Sequence, residues 1–180
     1  MSKGDSARIH EQMARAELIQ RIVLRDNALV LYLGSVGAIL GFIGGGKIGL
    51  EILLVIPFLA FGVTTIIEQH NVMIGLLGHY LHVELDSEYK KIKEFVPQWN
   101  GSDSFKQRIG KYPWLLQRKV AHSLLIVTPS VLGLILNTQY LFTKNILTVA
   151  WCLGIFFTVI STLTIFQASN YRNELFKRQP

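Results

Sequence analysis

Six side chains near the middle of the chain have types and spacing that could do chemistry: Glu68, His70, Asn71, His79, His82 and His122. Histidine and glutamate can move protons, hold a divalent metal, or form charge-assisted hydrogen bonds. A zinc site needs three or four ligands converging on one point. His79 and His82 are three apart, but Glu68 lies three turns earlier and cannot meet both on one straight helix, so no metal and no cofactor is expected. His122 falls just inside an apolar run, where an ionisable group is costly without a partner. Glu68 or Asn71 at the same depth is the expected partner, and Glu68, His70, Asn71 and His122 form a candidate coupling cluster. No GxSxG, HExxH, P-loop or GxGxxG motif is present, nor an intramembrane pair of aspartates, so the expectation is a non-enzymatic protein.

The elements that must position these residues follow from how charge is distributed. Of 180 residues, half are apolar, and the net charge is +6. Residues 28–67 carry only Lys47 and Glu51, and residues 120–166 carry only Lys144, so 27 of the 30 charges crowd into the remaining 93 residues. That split excludes an ordinary globular core and a disordered chain, and describes an all-α polytopic membrane protein. The single cysteine, Cys152, excludes a disulfide framework.

Each low-charge block is too long for one crossing of about 30 Å, which takes about 20 helical residues. Gly44-Gly45-Gly46-Lys47 divides the first block and Thr143-Lys144-Asn145 the second. Four transmembrane helices in two tight hairpins are therefore expected: residues 28–42, 50–67, 120–141 and 146–166. The parts are an amphipathic helix (1–27), a first hairpin (28–67), a helical hairpin (68–119), a second hairpin (120–166) and a tail (167–180).

Sixteen of the eighteen Lys and Arg residues lie in segments 1–27, 68–119 and 167–180, and only Lys47 and Lys144 lie at the two hairpin tips. The positive-inside rule then predicts both termini in the cytoplasm. The run without a cleavable leader predicts that the first span acts as its own anchor. No external domain is left for a large ligand. Acids interspersed through 68–119 argue against nucleic acid and for a solvated face next to anionic lipid.

Within residues 5–27, Ile9, Met13, Ala16 and Val23 recur at heptad-like spacing, with Leu18 and Ile22 beside them; an interfacial amphipathic helix is one reading, and packing on the protein's own cytoplasmic segment is the favoured one, because four acids dilute its attraction to anionic lipid. Span 2 is expected to continue as one long helix to about Val96, where Pro97 stops it, presenting His79, His82, Tyr89 and Trp99 to a cytosolic protein partner. Gly34, Gly37 and Gly41 allow close helix approach, either against span 2 or between subunits of a homo-oligomer. Pro57 and Pro129, read as lying near the middle of spans 2 and 3, are candidate hinges. The hydroxyls of span 4 (Thr148, Thr158, Ser161, Thr162, Thr164) either bond their own helix or line a wet face.

The run Arg25-Asp26-Asn27 entering a glycine-rich span, the IPFLAFG core of span 2 and the EQHNVMIGLLGHYL exit helix are similar to those of small bacterial membrane proteins. The layout of residues 5–96 resembles the SLATT-type membrane effectors of bacterial conflict systems. The resemblance implies an oligomer in the bacterial inner membrane that perturbs or permeabilises the bilayer when a cytosolic partner signals, as in anti-phage defence. The alternative expectation is a membrane anchor or scaffold that recruits a cytosolic enzyme or nucleic-acid-binding partner.

Overall fold

The computed structural model describes residues 3–81, 85, 118–143 and 145–177, all of them helical or in short turns, with no strand among them. The expected continuation of span 2 to Val96, and His82, Tyr89 and Trp99, lie outside the described residues.

Helix α1 is one uninterrupted rod, Lys3–Gly44, about 63 Å long at 1.5 Å per residue. Asp26 and Asn27, polar where the apolar run begins, do not break it. It ends in a glycine-dependent cap: the Lys47 amide donates to the Phe42 carbonyl (3.1 Å) and the Gly46 amide to the Ile43 carbonyl (2.9 Å), with Gly46 at φ 66°. This is the Schellman arrangement, in which the left-handed residue carries no Cβ. Gly46→Val should cost about 1–2 kcal/mol, the penalty of that conformation for a side-chain-bearing residue, read as a lower unfolding temperature in detergent.

A 3-10 turn, Leu50–Val55, leads into α2, Ile56–His79. Pro57 therefore sits in the first turn of α2 rather than in mid-helix. There its missing N–H is one that no helix would use, so it marks a change of helix type and does not kink a continuous rod. Helical backbone continues through Tyr80 and Leu81, and Leu85 is again helical.

The next segment is short α3, Arg118–His122, a π-helical turn Ser123–Val127, and α4, Thr128–Leu136. Pro129 also falls in a first turn, here that of α4. The apolar stretch Val120–Leu136 is 17 residues. The expected span to residue 141 breaks instead at Asn137 and tightens into a 3-10 turn, Thr138–Phe142. Helix α5, Ile146–Lys177, starts on an Asn145 side-chain cap, whose Oδ1 accepts from the Leu147 and Thr148 amides at 3.0 and 3.3 Å. It runs well past residue 166.

Among the described residues three helices are long and apolar enough to cross a membrane: Arg8–Gly44, Leu50–His79 and Ile146–Ala168. Helix α2 is the central one, packed against both α1 and α5. On the α1 side the core is Tyr32 and Val36 against Ile56, Ala60, Val63 and Ile67, with Ile126 closing it. On the α5 side Phe157 stacks between Phe58 (5.1 Å) and Phe61 (4.9 Å). Close backbone approach occurs at Gly133, where a Cβ would meet the Leu53 carbonyl oxygen at 2.9 Å, and at Gly154, where it would meet Leu134 at 2.9 Å and Pro57 at 3.3 Å. Gly34, Gly37 and Gly41, by contrast, are exposed and have nothing within 4 Å of the Cβ position, so they do not pack on span 2 within the chain.

A second, smaller core lies beyond the apolar run. Ala14 and Leu18 of α1 meet Leu77, Tyr80, Leu81 and Leu85. The first helix thus packs on the chain's own charged segment, as expected, but through another face. Ile9, Met13 and Val23 stay 45%, 64% and 51% exposed.

Candidate functional site

Glu68 and Asn71 stand three residues apart on α2, hence on one face. Both are buried, at 5% exposure. Asn71 Nδ2 donates to Glu68 Oε2 at 2.9 Å. Glu68 Oε1 lies 3.1 Å from His122 Nδ1, and His122 is itself buried. From the other side Arg25 of α1 donates through Nη1 to Asn71 Oδ1 at 3.5 Å, while its Nη2 contacts Asp26 at 2.7 Å. The result is a polar chain, Asp26–Arg25–Asn71–Glu68–His122, tying together α1, α2 and α3.

The local reasons are separable. Arg25 is seven residues before Tyr32, so it shares the face of α1 that α2 covers. Glu68 follows Ile67, the last fully buried apolar residue of that stretch of α2. His122 is the last residue of α3, just before the π turn. A buried carboxylate needs a hydrogen-bonded counter-charge to stay ionised. Here the partner comes from another helix, so the hydrogen bonding of Glu68 and the helix contact are linked. Chemically the arrangement can hold two helix ends together through buried hydrogen bonds. Among the described residues no group of three or more His, Cys, Asp or Glu is placed to hold a metal ion.

His70, placed in the same cluster by its sequence position, faces elsewhere. It does not join the Glu68–His122 contact, and its Nδ1 is buried with no hydrogen-bond partner among the described residues. Arg21 and Arg25 lie near enough to act on it electrostatically. His79 is half-buried at the last turn of α2.

Two further polar links were not singled out by sequence reasoning. The Tyr32 hydroxyl donates to the Ile126 carbonyl at 2.9 Å, buried, within the π turn ahead of Pro129. A tyrosine amid an apolar run needs such a partner, which is the signal that could have found it. Tyr32→Phe should cost about 0.5–1.5 kcal/mol, the worth of one hydrogen bond, because the Ile126 carbonyl keeps the Ser130 hydroxyl at 3.3 Å; thermal unfolding in detergent measures it. At the opposite end, Asn137 Nδ2 donates to the Leu50 and Gly133 carbonyls at 3.0 and 2.8 Å, and Trp151 Nε1 to the Leu134 carbonyl at 2.9 Å. The Gly133 and Leu134 carbonyls lie in the last turn of α4, and the Leu50 carbonyl opens the 3-10 turn before α2, so these side chains tie the two segments and α5 together.

Four hydroxyls of α5 bond their own helix, while Thr148 donates to the Tyr140 carbonyl of the preceding 3-10 turn at 2.7 Å. Thr158 donates to Gly154, Ser161 to Phe157, Thr162 to Thr158 and Thr164 to Ile160, all at 2.7–2.9 Å. Their donors are used, and they do not mark a wet channel wall. No known protein family, curated protein or solved structure matches this chain.

Proposed function

We propose that this is a non-enzymatic, four-span protein of the bacterial inner membrane that assembles as a homo-oligomer and permeabilises the bilayer when a cytosolic partner or signal acts on its charged segments, in the manner of an anti-phage effector. Residues 28–44, 50–67, 120–141 and 146–166 are the spans, paired as two hairpins, with both termini and residues 68–119 in the cytoplasm. The 3-10 turn at 138–142 lets the shorter third helix complete its crossing. The Lys and Arg asymmetry supports the orientation.

One observation carries the functional reading. The buried chain Arg25–Asn71–Glu68–His122 joins three helices at their charged ends, and two of them, α1 and α2, continue rigidly out of the apolar layer and pack on each other there. A displacement outside the bilayer is therefore delivered to a polar joint at its edge. Burial makes such a joint strong when complete and costly when half-made, which is the behaviour of a latch. Because the α5 hydroxyls are used internally, the path for ions runs between subunits rather than through one chain.

Two measurements test this. Cysteines placed at positions 47, 101 and 175 in a Cys152→Ser background should be labelled by an impermeant reagent from outside at 47 only; labelling of 101 from outside would overturn the topology. In liposomes, Glu68→Gln protein should release an entrapped ion at least tenfold faster than wild type. Release at the rate of empty liposomes would remove the effector reading and leave the anchor.

A further inference from the structure

Helix α1 carries a heptad on each of two opposite sides, and among the described residues one of them is covered. On the used side Leu18, Arg25, Tyr32 and Ile39 step by seven, as do Ile22, Leu29, Val36 and Ile43. All are buried or half-buried against the rest of the chain. On the other side the heptad positions a and d, taken with Met13 at a, are occupied by Ile9, Met13, Ala16, Gln20, Val23 and Asn27. The same register continues without a skip through Val30, Gly34, Gly37, Gly41 and Gly44. Every one of these eleven residues is exposed.

We infer that this open face is where α1 of a second copy packs, in parallel, about a two-fold axis along the membrane normal. The inference rests on the oligomeric reading above and names its interface. Residue type changes along the seam as the surroundings require. Ahead of Ala28, where the chain is charged, four of the six seam residues are apolar, with Met13 64% and Val23 51% exposed. Within the apolar run it becomes small, and nothing lies within 4 Å of a Cβ built at Gly34, Gly37, Gly41 or Gly44. In water a helix pair is held by buried apolar knobs; in lipid it is held by close backbone approach. A lipid-facing surface would account for the second half and not the first.

Charge placement points to the same occupant. Nine charged residues lie between Lys3 and Asp26, and none falls on a seam position. Beside the seam, Glu17 and Asp26 would face Gln12 and Leu31 of the second copy, so a parallel pair sets no like charges against each other. Gln20 and Asn27, both at a positions, suit the register-fixing role of polar residues there. Met13, Ala16 and Gln20 also line a groove of about 760 Å³ that Leu77 and Tyr80 of α2 close on one side. From Ile9 to Gly44 the face is about 54 Å long. With a strip about 10 Å wide it buries on the order of 1,000 Å² for the pair, the size at which a specific interface begins.

The test is oxidative cross-linking in isolated membranes, full-length chain, Cys152→Ser background, with single cysteines at 13, 15, 16, 18, 20, 22, 23 and 27. Seam positions 13, 16, 20, 23 and 27 should form disulfide-linked dimers at least tenfold more than 15, 18 and 22. The single substitutions are small, so folding is preserved, and elution volume in detergent checks it. Cross-linking that is absent, or uniform along the helix, overturns the inference, whether residues 86–117, another protein or nothing covers the face. The readout is contact alone. A chain that cross-links on the seam yet never permeabilises a membrane loses the effector reading and keeps the interface.

Discussion

His122→Leu alone should destabilise the protein by about 3 kcal/mol, the cost of leaving a buried carboxylate without one of its hydrogen-bond partners. Glu68 would lose the contact at 3.1 Å and remain buried at 5% exposure with only Asn71 beside it. Glu68→Met alone should be similarly harmful, because His122 and Asn71 both lose an acceptor. The double variant Glu68→Met/His122→Leu should recover most of the loss, since an apolar pair of similar volume removes the need for desolvated charge. Thermal unfolding in detergent, followed by fluorescence of the tryptophans, reads all three. Additive single effects would show that the two residues do not act as a pair.

A Gly-Gly insertion after Leu85 should abolish any response to a signal received further along the chain while leaving the fold intact. Helix α2 and its continuation pack on α1 through Leu77, Tyr80, Leu81 and Leu85, and an insertion beyond that contact leaves it untouched. Two glycines in a helix cost about 2 kcal/mol locally and break its stiffness. Growth arrest or depolarisation in cells carrying the activated system should fall to the level of the empty vector, with detergent elution volume unchanged. Full activity in the insertion variant would mean that the helix does not transmit the signal.

How much of this was legible in the sequence depends on which physical term decides each feature. Long runs without charge can be read directly, because no packing is needed to make a charge costly in hydrocarbon. The turn at Gly44–Gly46 is legible for a similar reason: a left-handed residue selects glycine. The meeting of Glu68, Asn71 and His122 followed from their equal depth at the ends of adjacent apolar runs. The packed face of α1 was not legible. Ile9, Met13, Ala16 and Val23 form the more evident stripe, whereas the buried seam includes Arg25, a residue that reads as solvent-facing until Asn71 is seen opposite it. Choosing between two heptads on one helix requires knowing which neighbour is nearer. The prolines misled for another reason. Hydropathy does not distinguish 3-10 from α backbone, so Pro57 and Pro129 counted as interior until the turns before them placed both at helix starts. Likewise Asn137, surrounded by apolar residues, gave no sign that α4 ends there.

The membrane potential of cells expressing Glu68→Gln tests the central claim most directly, because it needs no knowledge of the natural trigger. The amide keeps the shape of the carboxylate and its bond with Asn71, while the charge that strengthens the contact with His122 is gone. If the polar chain is a latch on a membrane effector, a potential-sensitive dye should report depolarisation in the Glu68→Gln strain and none in the wild-type strain at equal protein level. An unchanged potential in both strains, with Glu68→Gln folded and in the membrane, would contradict the account and make the protein an anchor.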